Sequence, residues 1–465
     1  MSSGMGSNET TSPIIKLALV LLFVIFLIHH WYILYAQPLL PGFDGGYYAV
    51  QVREILRSSK LYYSAPPIAF LIFSFFAEIF LILNLFPPPL CVINGVKFGL
   101  ALMKSLCIFP AYLIFKQLTK RDYVSIGGAI LLELNPFFML LANGTSLFKN
   151  AIGVFFLLCY IYYVNELTIK NSWREIILAL IFISLTAMTH ILDFGLALAY
   201  TILYAAIEAI VNKRLSMKSS ITKLITIEFI SIAALFAGIL TIAPVFFGTY
   251  YKFESFIEEL LIVEGNEGAM LPPMLEPFVA LAIILAIIGL IISLIPDMGV
   301  LEKRLLLSSS LLVLFLITPL YSPQWYIRFI LVTFIPATLT LPTMLKLIRD
   351  TKKVIAFILV LVIFFTPAYM QLSQARPVIN PIEFRDIMDM ALYIERGNTI
   401  IITRFGLHYW VTWFLDIETT YHINKLDNYI QQYEHVYLII EKWKQTPSNW
   451  TTIYEGKELK LIKIK

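Results

Sequence analysis

Asp44 opens the run Asp44-Gly45-Gly46-Tyr47-Tyr48-Ala49, shortly after a long apolar stretch that ends near Tyr35. From Tyr48 onward the apolar positions Tyr48, Val52, Ile55 and Leu56 repeat at helical spacing, with Arg53, Glu54 and Arg57 on the other face. That pattern predicts an amphipathic helix lying in a membrane interface. A carboxylate held at head-group level, beside tyrosines and a basic helix, suits the receipt of a proton from a hydroxyl near a lipid phosphate. Tyr47, Tyr48 and Arg53 are then candidate substrate contacts. Asp is also a good N-cap for such a helix, and the residues alone leave both readings open.

Three more places carry chemistry-bearing side chains. Lys149, in Asn143-Gly144-Thr145-Ser146-Leu147-Phe148-Lys149, stands at the start of an apolar run. Its ammonium can bind a lipid phosphate as a point charge or snorkel to the interface. His190 and Asp193 interrupt a long apolar stretch. Ionisable groups there point to a functional site, with the polar turn of a helical hairpin as the alternative. The pair lacks the further ligands a metal site needs, so no metal is assigned. Arg328, in Tyr321-Ser322-Pro323-Gln324-Trp325-Tyr326-Ile327-Arg328-Phe329, begins a later apolar run. A guanidinium there can clamp a phosphate through paired hydrogen bonds, or anchor the interface beside Trp325 and Tyr326.

These residues need helices in lipid to position them. Of the 465 residues 59% are apolar and only 14% charged, more hydrophobic surface than one soluble core can bury. The formal charge of +4 is spread between apolar runs, which argues against a nucleic-acid surface. Cys91, Cys107 and Cys159 fall in or beside apolar stretches and form neither a disulfide framework nor a metal-type spacing. The apolar run that begins at Leu17 is too long for a signal-peptide core and reads as an uncleaved anchor.

Basic clusters at 116–121, 170–174, 213–223, 303–304 and 346–353 all fall on the cytoplasmic side if about 11 segments cross. The expected spans are 14–36, 94–116, 124–142, 149–166, 175–190, 192–211, 224–247, 276–296, 304–320, 327–345 and 354–371. The apolar stretch Pro67 to Phe86, bracketed by prolines, is then a segment that does not cross. This threading puts the N-terminus in the cytoplasm of a cell-membrane protein. It collects the unusual polar residues on the outer face, including a first loop over 37–93 and an acidic loop with Glu254, Glu258, Glu259, Glu264 and Glu267.

Beyond about Gln371 charge rises and β-type runs appear. Asn380-Pro381 signals a helix start, and Gly397 its end. Thr399 to Thr403 and His435 to Ile440 read as strands, and Thr452 to Tyr454 with Leu459 to Ile464 as a hairpin. The expected organisation is a membrane domain over 1–371 and a small extracytoplasmic α/β domain over 372–465. Arg404, His408, Tyr409, Trp410 and Trp413 form an aromatic and basic cluster, for which packing is the simpler explanation. Phosphate loops and nucleophile elbows are absent from the sequence.

The run Asp44 to Ala49, the helix to Ser59 and Pro66-Pro67-Ile68 before an apolar segment together resemble the GT-C glycosyltransferase superfamily. The likeness is to the branch with protein O-mannosyltransferases and the bacterial aminoarabinose lipid A transferase. The resemblance implies a GT-C-like membrane fold and a sugar donor carried on a polyprenyl phosphate. It implies Asp44 as catalytic base or as partner to a divalent metal, and Arg328 as a ligand of the donor phosphate; Lys149 and His190, read from the residues, are candidates to aid Arg328. Gly45 and Lys149 depart from the pattern, since relatives often carry acids there.

The leading expectation is therefore a glycosyltransferase that moves a sugar from a lipid-linked donor to a protein, lipid or glycan acceptor at the outer face. The alternatives are a transporter or lipid flippase, whose polar residues would sit near the midplane, and a catalytically inactive GT-C relative.

Overall fold

The computed structural model describes residues 12–144, 147–211, 222–223, 225–233, 272–295, 298–318, 323–348, 350–447 and 450–465. The expected acidic loop, most of the expected span 224–247 and most of the basic cluster 213–223 lie outside these residues.

The chain is a helical multi-pass membrane protein with a small sheet domain at its C-terminal end. Helix α1 (Pro13–Tyr35) is apolar on all sides and mostly exposed, as a lipid-facing helix must be. A loop leads to the amphipathic α2 (Gly45–Ser58), then to α3 (Ile68–Ile82), α4 (Pro88–Leu106) and α5 (Ile108–Thr119). With 15 residues α3 is about 22 Å long, short of a roughly 30 Å hydrocarbon layer. It packs between α2 and α4. Helix α6 (Asp122–Glu133) meets a second short helix, α7 (Pro136–Met139), at a bend of 44°. Pro136 lacks the amide that would continue α6, and Asn135 caps the new start by accepting from the Phe137 amide. A single π turn, Leu140–Gly144, follows. Then come α8 (Phe148–Lys170), α9 (Trp173–Ala187) and α10 (Ile191–Val211). The late helices are Glu276–Ser293, Val300–Ile317, Pro323–Val332, Phe334–Leu347 and Thr351–Ser373.

Among the described residues seven helices are long and apolar enough to cross, or eight if the bent pair counts as one span. Two of the other expected spans are helices that miss on length or charge: α9 has 15 residues, and Val300–Ile317 begins with Glu302, Lys303 and Arg304.

Polar residues are not confined to one end of the bundle, as the sequence pattern suggested. His30 Nε2 lies 3.2 Å from Glu133, and the Tyr369 hydroxyl 3.2 Å from His30 Nδ1. Lys104 rests over the rings of Phe138 and Tyr369, at 4.9 and 5.3 Å. Arg304 pairs with the buried Glu208. Charges scattered along a one-dimensional apolar pattern say nothing of which helix faces meet, so these pairings were invisible.

The C-terminal sheet has the order β2-β1-β3-β5-β4, built from β1 (Thr399–Ile402), β2 (Glu418–Thr420), β3 (His435–Glu441), β4 (Thr451–Glu455) and β5 (Leu459–Lys463). Strands β2, β1 and β3 are parallel, while β5 runs antiparallel to both β3 and β4. One face, with Ile401, Tyr437 and Leu461, joins the main core beside the helix Leu407–Leu415. The other, with Ile400, Val436 and Ile462, packs on Leu426, Tyr429 and Ile430 of the helix Leu426–Gln432. The helix starts at the expected Asn380 cap, where Glu383 completes a capping box, but stops at Met390. The segment up to Gly397 is held to the sheet instead: the Glu395 amide donates to Tyr437 and its carbonyl accepts from Thr399 Oγ1.

Candidate functional site

Asp44 sits at the N-cap position of α2, yet its side chain makes no capping hydrogen bond. The carboxyl is therefore not spent on the helix. Gly45 explains how the chain turns so abruptly here. A Cβ on it would meet the Leu40 carbonyl oxygen at 2.5 Å, so no side chain fits at that position. The absence of an acid after Asp44 is thus a packing requirement of this chain.

Burial raises Asp44 from an ordinary aspartate value to about 6, against the opposing pull of the Lys149 ammonium and the Arg328 guanidinium. Lys149 and Arg328 also lie within electrostatic reach of His190. Four residues from α2, α8, the α9–α10 turn and the helix Pro323–Val332 thus converge at one place. Lys149 does not snorkel outward. Its Nζ is 3.5 Å from the Tyr47 hydroxyl and rests over the rings of Tyr47 (5.3 Å) and Phe70 (5.7 Å). Its backbone amide donates to the Tyr48 hydroxyl at 3.3 Å, and Tyr48 stacks on Phe148 at 4.5 Å. The tyrosines of the motif therefore fasten α2 to the start of α8. Arg328 stacks on Trp325 at 4.7 Å.

His190 Nδ1 accepts from the Leu192 amide at 3.2 Å and from Asn150 Nδ2 at 3.0 Å. In the neutral ring this leaves the proton on Nε2, where it can be donated. Asp193 is fully buried, 3.7 Å from His190 Nδ1, and neither carboxyl oxygen has a hydrogen-bond partner. Any side chain at Gly153 would run into that carboxyl, so α8 gives way to seat it. Asp193 lies behind His190, in the α8–α10 contact.

Arg53 is turned elsewhere. It donates to the carbonyls of Trp413 (2.8 Å) and Thr412 (3.3 Å), pairs with Asp416 at 2.8 Å and lies over the Trp413 ring. It ties α2 to the sheet domain. Of the aromatic cluster in that domain, Trp410 is fully buried, and Trp413 and His408 nearly so, which fits packing. Tyr409 differs: its ring reaches back to Tyr47 at 5.3 Å and to Tyr63 at 5.5 Å. Asn150, Tyr63 and Phe70 are site residues that the sequence analysis missed. A polar residue directly after Lys149 at the start of an apolar helix was the available signal for Asn150; nothing marked the other two.

The described residues do not by themselves make a site for a divalent cation. Asp44 faces two cations, and among the described residues no three His, Cys, Asp or Glu side chains come together to hold a metal ion.

No family model and no curated protein sequence matches the chain. Its structure, however, is similar to that of ArnT from Cupriavidus metallidurans bound to undecaprenyl phosphate, with a TM-score of 0.56 at 11% identity over 96% of this chain and 98% of that one. It is also similar to the Archaeoglobus fulgidus oligosaccharyltransferase in the apo form, with a TM-score of 0.59 at 12% identity over 92% of this chain and 69% of that one. The complex of the latter with Zn and sulfate gives 0.54 at 13% identity, over 90% and 67%. The chain has the fold of these two proteins.

Proposed function

We propose that this protein is a glycosyltransferase that uses a polyprenyl-phosphate-linked sugar as donor and works at the outer face of a cell membrane, with the N-terminus in the cytoplasm and the sheet domain outside. The observation that carries the reading is an uncapped, half-buried Asp44 carboxyl facing the cations Lys149 and Arg328. Undecaprenyl phosphate bound to the similarly folded ArnT supports a lipid-phosphate donor.

In this mechanism Asp44 takes the proton of the acceptor hydroxyl as its oxygen bonds to the anomeric carbon. The bond from that carbon to the phosphate oxygen breaks, and the lipid phosphate leaves with the electron pair. One displacement inverts the anomeric centre. Arg328 and Lys149 stabilise the charge growing on the phosphate, and His190 donates through Nε2. Tyr47 and Tyr48 shape the pocket by holding Lys149. Asn150 and the Leu192 amide orient His190, Asp193 is packed behind it, and Arg53 acts only through the α2–domain contact.

The test is binding and transfer with purified wild type and Arg328→Met, using polyprenyl phosphate and a panel of labelled polyprenyl-phosphate sugars. Loss of the paired guanidinium contacts raises the dissociation constant of polyprenyl phosphate by about ten- to a hundredfold, a difference of roughly 1.5–3 kcal/mol. Equal binding by both proteins removes Arg328 from the donor site. Absence of transfer with every donor, alongside polar-solute flux in liposomes, would favour a transporter, for which the buried His30, Glu133 and Lys104 offer a path.

A further inference from the structure

The parallel part of the sheet, in the order β2-β1-β3, reverses direction at β1. Its two connecting helices lie on opposite faces, so the rule for open α/β sheets puts the ligand-binding crevice at the carboxyl ends of β1 and β3. The loop leaving β1 there is Thr403-Arg404-Phe405-Gly406, and Tyr421 follows the end of β2. Phe405 and Tyr421 are 47% and 42% exposed, with ring centroids 5.2 Å apart. Phe43, the neighbour of Asp44, is 56% exposed, and a Cβ on Gly406 would lie 3.4 Å from its ring. At φ +83° Gly406 permits this approach without a side chain. Under the exposed rings, His408 and Tyr409 continue the ring contacts to Tyr47. Exposed rings thus stand both beside Asp44, at Phe43, and at the switch point, at Phe405 and Tyr421, with Gly406 between them.

The charge balance of the crevice narrows what it holds. Arg404 is paired with Glu383 and Glu441, and Lys444 lies 2.7 Å from Glu441, giving two cations against two carboxylates. Burial holds His408 near a pKa of about 4, so its imidazole is neutral at physiological pH. The charges named here are paired with one another, which favours a neutral ligand over a phosphorylated or acidic head group.

We infer that this crevice is the acceptor site and that the acceptor is an uncharged glycan, one ring of which lies on the face of Phe405 with Tyr421 beside it, and whose next hydroxyl is delivered past Phe43 to Asp44. The two rings stand at 85° to each other, so one offers its face to the apolar face of a sugar and the other walls it. The inference rests on the transferase reading of Asp44 and adds the class of acceptor.

The test uses the full chain in lipid nanodiscs, with neutral manno-, gluco- and N-acetylglucosamine trisaccharides as probes in saturation-transfer NMR. Phe405→Ala and Tyr421→Ala are compared with Phe405→Trp and with Tyr393→Ala, a 49% exposed aromatic on the segment before the amino end of β1. At least one trisaccharide binds wild type; binding weakens about tenfold in each alanine variant and is kept in Phe405→Trp and Tyr393→Ala. Asp44→Asn keeps this binding too, so loss of the catalytic assignment and loss of the glycan site are read separately. Binding of no trisaccharide overturns the proposal. So does equal binding by wild type and the alanine variants, or a selective loss in those variants of binding to phosphatidylglycerol vesicles or to a Ser/Thr-rich peptide.

Discussion

The backbone of Gly46 lies against that of Trp410, so closely that a Cβ on Gly46 would come within 2.8 Å of the Trp410 amide nitrogen. Two residues after the candidate base, the membrane domain and the sheet domain therefore meet with no side chain between them. Gly46→Ala forces this contact apart. Overpacking of this kind costs about 1–3 kcal/mol, and the sheet domain should become more sensitive to limited proteolysis while the bundle does not. A variant as resistant as wild type would show that the contact yields freely.

The pH dependence of transfer follows from the burial of Asp44. Burial favours the neutral carboxyl and raises its pKa to about 6, so the base form is lost as pH falls through that value. The acceptor kcat/KM should rise with pH and level off above about 6. Lys149→Met removes an ammonium that favours the carboxylate, and so moves the inflection upward. An inflection that stays in place would place Lys149 outside the field of the base.

Arg53 carries two carbonyl contacts and an ion pair to the sheet domain. Hydrogen bonds from a charged donor contribute roughly 1.5–3 kcal/mol each when the partner is left unpaired. Arg53→Met should therefore lower the thermal midpoint and loosen the domain while leaving donor binding within about twofold of wild type. A selective loss of donor affinity, with stability unchanged, would return Arg53 to the substrate site.

The membrane fold was legible because apolar runs of helical length carry their own signal, and Asp44 stood out as a candidate because its motif sits where a span meets an amphipathic helix. The convergence of Lys149, His190 and Arg328 was visible only as a common end of separate runs; their contacts depend on how α8, the α9–α10 turn and the helix Pro323–Val332 pack. Arg53 was misleading because its basic helix face suggests lipid or substrate, whereas the partner is a carbonyl pair some 360 positions along the chain. In the sheet domain, β2 has three residues and no apolar alternation, so pattern alone could not reveal it. The switch point that β2 creates was hidden with it.

The central claim is that Asp44 is the base of a lipid-donor transferase. The measurement is kcat for transfer of labelled sugar by Asp44→Asn against wild type, at pH 7.5 (about 1.5 pH units above the Asp44 pKa), after matched polyprenyl-phosphate binding shows both proteins folded. The account predicts donor binding retained and kcat lowered by about 10²–10⁴. Transfer at the wild-type rate by Asp44→Asn would contradict it.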